Sequence, residues 1–353
     1  MNEKNLFDRT KIRTLPLSCR ENKSGLNVII DPNKLPDQSK NLEKIIYTAG
    51  KIIEAKKNNK PIILTFGAHL IKNGLSLVIS DLIRNKYLTH LASNGASCIH
   101  DWEFAYQGKT EEDVRKYVSE GQFGIWEETN KFINLALIAG AGENKGYGVS
   151  ICEMIHKDKI EIPEKILDTA KKKLIRYGIK SEDTIEVKHL YKKYSFQNVV
   201  FEENINFTVH PHLGHDIIYN HQLNDMASIG ICAEIDYLNF AEAVSNLEGG
   251  GVYLSVGSSI MSPMVFEKSL SMARNVVHQS GKRIKDFSII VNDIQEGEWK
   301  WGSGIEPNKD SPVYYQRFCK TFDRMGAKEM IYIKEDNRTF LTNLYHELKN
   351  MIT

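Results

Sequence analysis

The sequence predicts an α/β protein: a doubly wound, mainly parallel sheet flanked by helices. Three observations predict it. Short apolar runs bounded by Gly, Asn or Pro alternate with longer segments of three-to-four spacing. Several of the runs are apolar at every position, as strands buried on both faces must be. The alternation continues from about residue 41 to the end, which points to one doubly wound sheet rather than separate helical and sheet parts.

Taken in order, residues 1–40 are polar and punctuated by Pro16, Pro32 and Pro36, and read as an extended arm ahead of a single α/β domain over 41–353. Helical spacing covers Leu42–Asn58. The run 61–67 (PIILTFG) reads as a strand closed by glycine. Spacing turns helical again over Gly74–Asn85, and 90–96 (HLASNGA) reads as the second strand. Helices follow at Thr110–Glu120, Ile125–Leu137 and Pro163–Tyr177, where Pro163 suits a first helical position because its missing N–H costs nothing there. Ala139-Gly140-Ala141-Gly142 closes a helical pattern and reads as a helix stop. The β-branched run 198–203 (NVVFEE) and the run 206–210 (NFTVH) read as strands. Then come helix Ile235–Glu248, strand 251–257 (GVYLSVG), helix Met264–Ser280 and strand 287–293 (FSIIVND). Helix Ser311–Arg324, strand 329–334 (EMIYIK) and helix Phe340–Met351 complete the chain.

The 353 residues carry 46 Lys+Arg against 45 Asp+Glu, a net charge of +1, so no electrostatic footprint for nucleic acid or an anionic membrane is expected. With 41% hydrophobic and 26% charged residues the chain has the composition of a globular protein rather than a disordered one. No run reaches the roughly 18 apolar residues of a membrane span, and the N-terminus lacks the apolar core of a signal peptide. The five cysteines are scattered, with no C-x-x-C, which suits a reducing, cytoplasmic setting.

Ligands of parallel sheets bind beyond the carboxyl ends of the strands, so the residues after each strand are the candidates. They are Thr65, Gly67 and His69 after the first; Ser93, Asn94, Gly95, His100 and Asp101 after the second; His210, His212, His215, Asp216 and His221 after the fourth; and Gln295 and Glu296 beyond 293. Glycine-rich turns such as Gly67 and Gly250-Gly251 offer free backbone N–H groups to a phosphate. Neither G-x-G-x-x-G nor a P-loop is present, so an ordinary Rossmann or P-loop site is not supported. His69, His100, His212 and His215 have the near-neutral imidazole that proton transfer needs. His210, His212, His215 and Asp216 also form a candidate metal set; the other reading is a polar pocket. Ser255, Ser258 and Ser259 bring hydroxyls to one place but lack a nucleophile elbow, so pocket lining or capping competes with catalysis. In Glu296–Gly304 (EGEWKWGSG), Trp299 or Trp301 either stacks on a ligand or anchors a surface loop.

At these residues the chain resembles the deoxyhypusine synthase family. TFGAHLIKNGL is similar to the family's T-S-N-L-I-S-S-G segment, LASNGASCIHD to T-T-A-G-G-V-E-E-D, HLGHDIIYNH to a segment ending S-L-G-D-M, LEGGG to L-G-G-G, and NDIQEGEWKWGSGIEP to N-T-A-Q-E-F-D-G-S-D-S-G-A-R-P. The resemblance implies an NAD-binding fold and a homotetramer with NAD in a tunnel between subunits. Thr65, His69, Ser93, Asn94, Gly95, Asp101, Gln295 and Glu296 would fall at the cofactor. Asp216, with Glu296 or Glu248, would hold the amine of a polyamine-like substrate. The family's base-bearing Lys-His pair is replaced by Leu254-Ser255, and its imine-forming lysine falls in Pro312–Arg317, which has none; Lys309 and Lys320 are out of register. No other residue there supplies an amine, so true deoxyhypusine synthesis is not expected. The resemblance leaves an NAD-dependent enzyme that oxidises an amine or transfers its amino-alkyl group, with two alternatives. One is a metal-dependent hydrolase or lyase on the histidine cluster. The other is a catalytically inactive paralogue that binds NAD or a polyamine.

Overall fold

The computed structural model describes residues 6–351. Its centre is a six-stranded sheet of β1 (Ile62–Phe66), β2 (His90–Ser93), β3 (Asn206–Val209), β4 (Gly251–Val256), β5 (Phe287–Asp293) and β6 (Glu329–Lys334). All neighbours pair in parallel, and the spatial order is 3-2-1-4-5-6. That is the strand order of dinucleotide-binding folds, with the reversal between β1 and β4.

Both faces of the sheet are covered, and the period-2 alternation of the strands divides their side chains between two cores. Ile62, Leu64, Phe66, Val252, Leu254 and Val256 face one core; Ile63, Tyr253, Ile289 and Val291 face the other. The first core is closed by α1 (Leu42–Lys57), α2 (His69–Lys72), α3 (Ser76–Arg84), α4 (Gly95–Gln107), α5 (Val114–Ser119), α6 (Glu127–Gly142), α7 (Tyr147–Lys157), α9 (Phe196–Glu202) and α13 (Asn337–Asn350). The second is closed by α10 (Met226–Ser245), α11 (Met261–His278) and α12 (Arg317–Asp323). In α1, Ile45, Ala49, Ile52 and Ala55 form the buried stripe, a three-to-four repeat that sets the helix against β1, β4 and α13.

Several elements differ from the sequence expectation. NVVFEE is not a strand but most of α9. The Ser195 hydroxyl accepts the Asn198 N–H, and the buried Asp101 carboxylate accepts the N–H groups of Phe196 and Gln197. These acceptors satisfy the helix start and override the β-branched composition. HLASNGA stops as a strand at Ser93, because Asn94 caps α4 by accepting the Ser97 N–H. Helices α4 and α7 are buried on most sides, so neither shows the polar face that marks a surface helix. Pro163 lies outside any helix; the segment it was expected to open starts only at Asp168 as α8 (Asp168–Arg176). Residues 6–41 run irregularly, with short 3-10 turns and a two-residue pairing of Ser24–Gly25 with Lys109–Thr110. No helix among the described residues is long and apolar enough to cross a membrane.

Candidate functional site

The strand order reverses between β1 and β4, the place beyond whose carboxyl ends parallel sheets bind ligands, and two glycines build the crevice edge there. A Cβ on Gly67, just after β1, would stand 2.5 Å from the Gly257 carbonyl oxygen, so only glycine lets the two strand ends approach this closely. Gly257 has φ +58° and donates its N–H to the Asn292 carbonyl. Ser258 and Ser259 follow, and the 18-residue α11 starts at Met261, with the Ser258 hydroxyl accepting the Ser262 N–H at 3.2 Å. After β1, by contrast, α2 (His69–Lys72) makes only one turn. The long helix at the crevice therefore belongs to β4. Asp293 ends β5 beside this turn and is largely buried, with no cation bonded to it among the described residues.

A pocket of about 230 Å³ lies at the same edge, outside β2 and β3, and Asp216 lines it. The Asp216 carboxylate sits over the first residue of α4: a Cβ on Gly95 would meet its Oδ2 at 2.4 Å. Oδ2 is buried and makes no hydrogen bond, and the neighbouring Tyr219 hydroxyl, also buried, is not in bonding geometry. Burial pushes the Asp216 carboxyl up to about 6, against smaller opposing effects of His215 and Tyr219.

The other walls carry paired and unpaired charge. Arg20, from the N-terminal arm, makes a buried bidentate bridge to Glu103 at 2.8 and 2.7 Å, and Lys72 pairs with Glu111 at 2.8 Å. Among the described residues Glu112 has no cation bonded to it; it accepts from the Trp126 indole and the Gly124 N–H, and burial raises its pKa. With all groups ionised, four carboxylates face two cations. His100 completes the wall. Its Nδ1 lies 2.7 Å from the Thr110 hydroxyl, which donates to Glu103 at 2.6 Å. Since the Thr110 proton points at Glu103, Thr110 can only accept from His100, which fixes the Nδ1–H tautomer. The Nε2 lone pair makes no hydrogen bond among the described residues. Burial lowers the His100 pKa to about 4, so the ring is neutral near pH 7.

The remaining predicted residues divide sharply. His215 lines the pocket and packs on the His212 ring, centroids 5.2 Å apart. His210 instead turns inward: its ring packs edge-on against Phe240 and shares the Thr208 hydroxyl with His90. Among the described residues no three His, Cys, Asp or Glu side chains converge as a metal site would require, and His210, His212, His215 and Asp216 are not brought together as such a set. His69 is exposed and borders a neighbouring groove with Lys72 and Arg338.

Several candidates serve the fold. Asp101 is fully buried and clamps Ser76, Ser195 and the start of α9. Ser93 bonds the Phe66 carbonyl at 2.7 Å, and Asn94 is spent on capping α4. Ser255 is buried in a hydroxyl chain with Ser262 and Tyr253, while Thr65 pairs with it inside the sheet. Glu248, Gly250 and Gly251 stand at the amino edge of β4, opposite the crevice; Glu248 accepts the N–H groups of Lys285 and Asp286 there. They are corrected from ligand groups to turn builders. Trp301 is buried and donates to the Gly297 carbonyl at 2.7 Å, so it anchors its loop rather than stacking on a ligand. Beyond β5, Glu296 pairs with Lys334, and the Gln295 carbonyl accepts the Tyr332 hydroxyl. Ser258, read from the sequence as pocket lining or a cap, does cap α11 at the turn after β4. Sequence reasoning missed Arg20, Glu103 and Glu112, which no local motif marks.

No protein-family model matches the chain, and no curated protein is detectably similar to it. Solved structures share its fold. A mutant of AgrE in complex with L-arginine is 15% identical with a TM-score of 0.50, covering 91% of this chain and 34% of that one. AgrE with ornithine and NAD+ is 13% identical with a TM-score of 0.48, covering 90% and 34%. A conserved LOR/SDH protein from Methanococcus maripaludis S2 is 13% identical with a TM-score of 0.47, covering 97% and 75%. The chain thus spans about a third of the length of AgrE. At these identities the likeness is one of fold.

Proposed function

We propose that the chain is an NAD-binding enzyme that acts on a small cationic amine at the carboxyl edge of its sheet. The observation that carries the reading is Asp216: its Oδ2 is buried and has no hydrogen-bond partner among the described residues, in a pocket with more carboxylates than cations. A positively charged N–H donor supplies what that oxygen lacks, and a pocket of this size suits a small molecule. His100 supports the same class, because its bare Nε2 is a second acceptor facing the ligand.

NAD fits the crevice by the features of a βαβ nucleotide unit, here β4–α11–β5. Gly257, Ser258 and Ser259 would hold the phosphates ahead of α11, Gly67 lets the Gly257 turn close against β1, and Asp293 stands where such units present an acid to a ribose. AgrE, which shares the fold, has been solved with ornithine and NAD+; the proposal for this chain rests on its own edge residues. Bound NAD would supply the hydride acceptor. Asp216 then anchors the ammonium group and His100 takes up its proton, while the arm residue Arg20 and its Glu103 bridge close the pocket against water. The finer possibility, transfer of an amino-alkyl group as in deoxyhypusine synthases, would need a nucleophile from the second substrate, since no lysine lines this pocket apart from the paired Lys72.

Calorimetric titration with NAD, followed by a panel of mono- and diamines with NADH absorbance as readout, tests the reading. Saturable NAD binding, amine-dependent NADH formation and loss of both amine binding and turnover in Asp216→Asn are expected. Absence of NAD binding would sink the cofactor assignment. NAD binding without reduction by any amine would leave a binding protein.

A further inference from the structure

We propose that Tyr219 is a positioning residue for Asp216: its hydroxyl donates to Oδ2 of the ionised carboxylate and holds that group facing the pocket for a cationic amine. The inference deepens the amine reading and rests on it. Two unsatisfied atoms carry it. Asp216 Oδ2 and the Tyr219 hydroxyl are both buried, and neither makes a hydrogen bond among the described residues. The carboxylate oxygen is an acceptor and the phenol a donor. A buried polar atom without a partner is costly, and each of these two supplies the partner the other needs.

The local fold sets them side by side. Asp216 precedes the 3-10 turn Ile217–Asn220, and its carbonyl accepts the Tyr219 N–H at 3.3 Å. Side chains three residues apart on such a turn eclipse, so the phenol lies alongside the carboxylate. It is close enough to oppose part of the rise that burial imposes on the carboxyl. The turn itself is fixed. Ile218 is buried, and its carbonyl accepts from the Asn134 side chain of α6 at 3.0 Å. Ile217 packs on Gly124, where a Cβ would stand 2.4 Å from Ile217 Cγ2. With the backbone held, rotation of side-chain torsions is what brings the hydroxyl onto Oδ2. A carboxylate has about four lone-pair sites, so a bond from Tyr219 leaves others for an ammonium group. The other groups that face Asp216 are His215 from its own loop, Cys98 and His100 from α4, and Tyr147 from α7; across the pocket stand Glu112 and the Arg20–Glu103 and Lys72–Glu111 pairs. None of them gives Oδ2 a hydrogen bond. The Tyr147 hydroxyl is also buried and unbonded, but it comes from a separate helix and feels Asp216 through charge alone.

NMR of the ligand-free protein, with aspartate labelled at the side-chain carboxyl carbon, tests the proposal. The Asp216 signal, identified by its loss in Asp216→Asn, should titrate near 6 in the wild type. In Tyr219→Phe, which keeps the ring and its packing, the midpoint should move up by about one pH unit. Tyr147→Phe, which removes a buried hydroxyl from another element, should leave it in place. Calorimetry with n-butylamine should follow the same shift: Tyr219→Phe should bind about fivefold more weakly than the wild type at pH 6 and equally well at pH 9. An unmoved midpoint in Tyr219→Phe, or equal shifts in the two tyrosine variants, would overturn the proposal. A shifted midpoint in a protein that binds no amine at any pH would instead overturn the amine reading and leave Tyr219 in its role toward the carboxylate.

Discussion

The proposed amine site turns on one side chain, Asp216. Its carboxyl titrates near 6 rather than near the ordinary 3.8, because burial disfavours the charged form. Two consequences follow with opposite signs for binding and for stability. A cationic amine needs the ionised form, so its affinity should rise as pH climbs through about 6 and level off above 7. Asp216→Asn should remove that step; a titration series in which the step persists would place the acid elsewhere. For folding, the raised value means that the native state holds the proton more tightly than the unfolded chain does. Stability from this group is full below the unfolded value of 3.8 and is lost as pH rises through about 6. Asp216→Asn should therefore stabilise the ligand-free protein by about 1–3 kcal/mol at pH 8 and change little at pH 3.

The elements explain how that carboxylate is placed. Helix α4 starts at Gly95 because Asn94 caps it, and the missing side chain of Gly95 leaves the space Asp216 occupies. Gly95→Ala should thus abolish amine binding by displacing Asp216, while thermal stability moves by less than about 1 kcal/mol, since alanine is the better helix former. A variant that binds amine as well as the wild type would show that the close approach is incidental. Asp101 does the converse work at the other side of α4. Asp101→Ala should cost roughly 3 kcal/mol or more, because it orphans the Ser195 and Gln197 donors and the α9 amides; denaturant unfolding reads this directly. These elements also show what was legible in the sequence. All six sheet strands were readable, because runs such as FSIIVND and PIILTFG are apolar on both faces. The inventory of polar residues at the carboxyl edge was readable too, and it contained Asp216, His100 and His215. Which of them share a pocket was not, since Arg20 arrives from an irregular arm and Asp101, alike in type to Asp216, is consumed as a helix clamp. NVVFEE misled because its β-branched composition says nothing of the Asp101 carboxylate that starts it as a helix.

At the scale of the whole molecule, buried titrating groups set how the fold meets acid. Burial lowers His90 and His210 to about 3, and His100 and His189 to about 4, from an ordinary 6.5. Each is neutral in the fold and charged in the unfolded chain near pH 5. Such groups contribute stability that is full above the unfolded value and is lost as pH falls below 6.5. Asp216 and Asp236 act in the opposite sense: burial raises them to about 6 and about 7, so the fold holds two protons that the unfolded chain has released. Four against two leaves the unfolded state about two protons ahead near pH 5. Stability should then fall by about 2–3 kcal/mol for each unit of pH lost there, a large share of the total for a domain. The expected outcome is a melting temperature that is flat from pH 8 to 7 and drops steeply between 6 and 4. Replacing the pair His90 and His210, which share the Thr208 hydroxyl beneath Phe240, should flatten that slope by bringing the two proton counts together; His90→Gln with His210→Gln, melted across the same range, measures it. A slope unchanged in the double variant would mean that these histidines are protonated in the native state, and that the polar seam between β2 and β3 is wetter than its packing against α10 indicates.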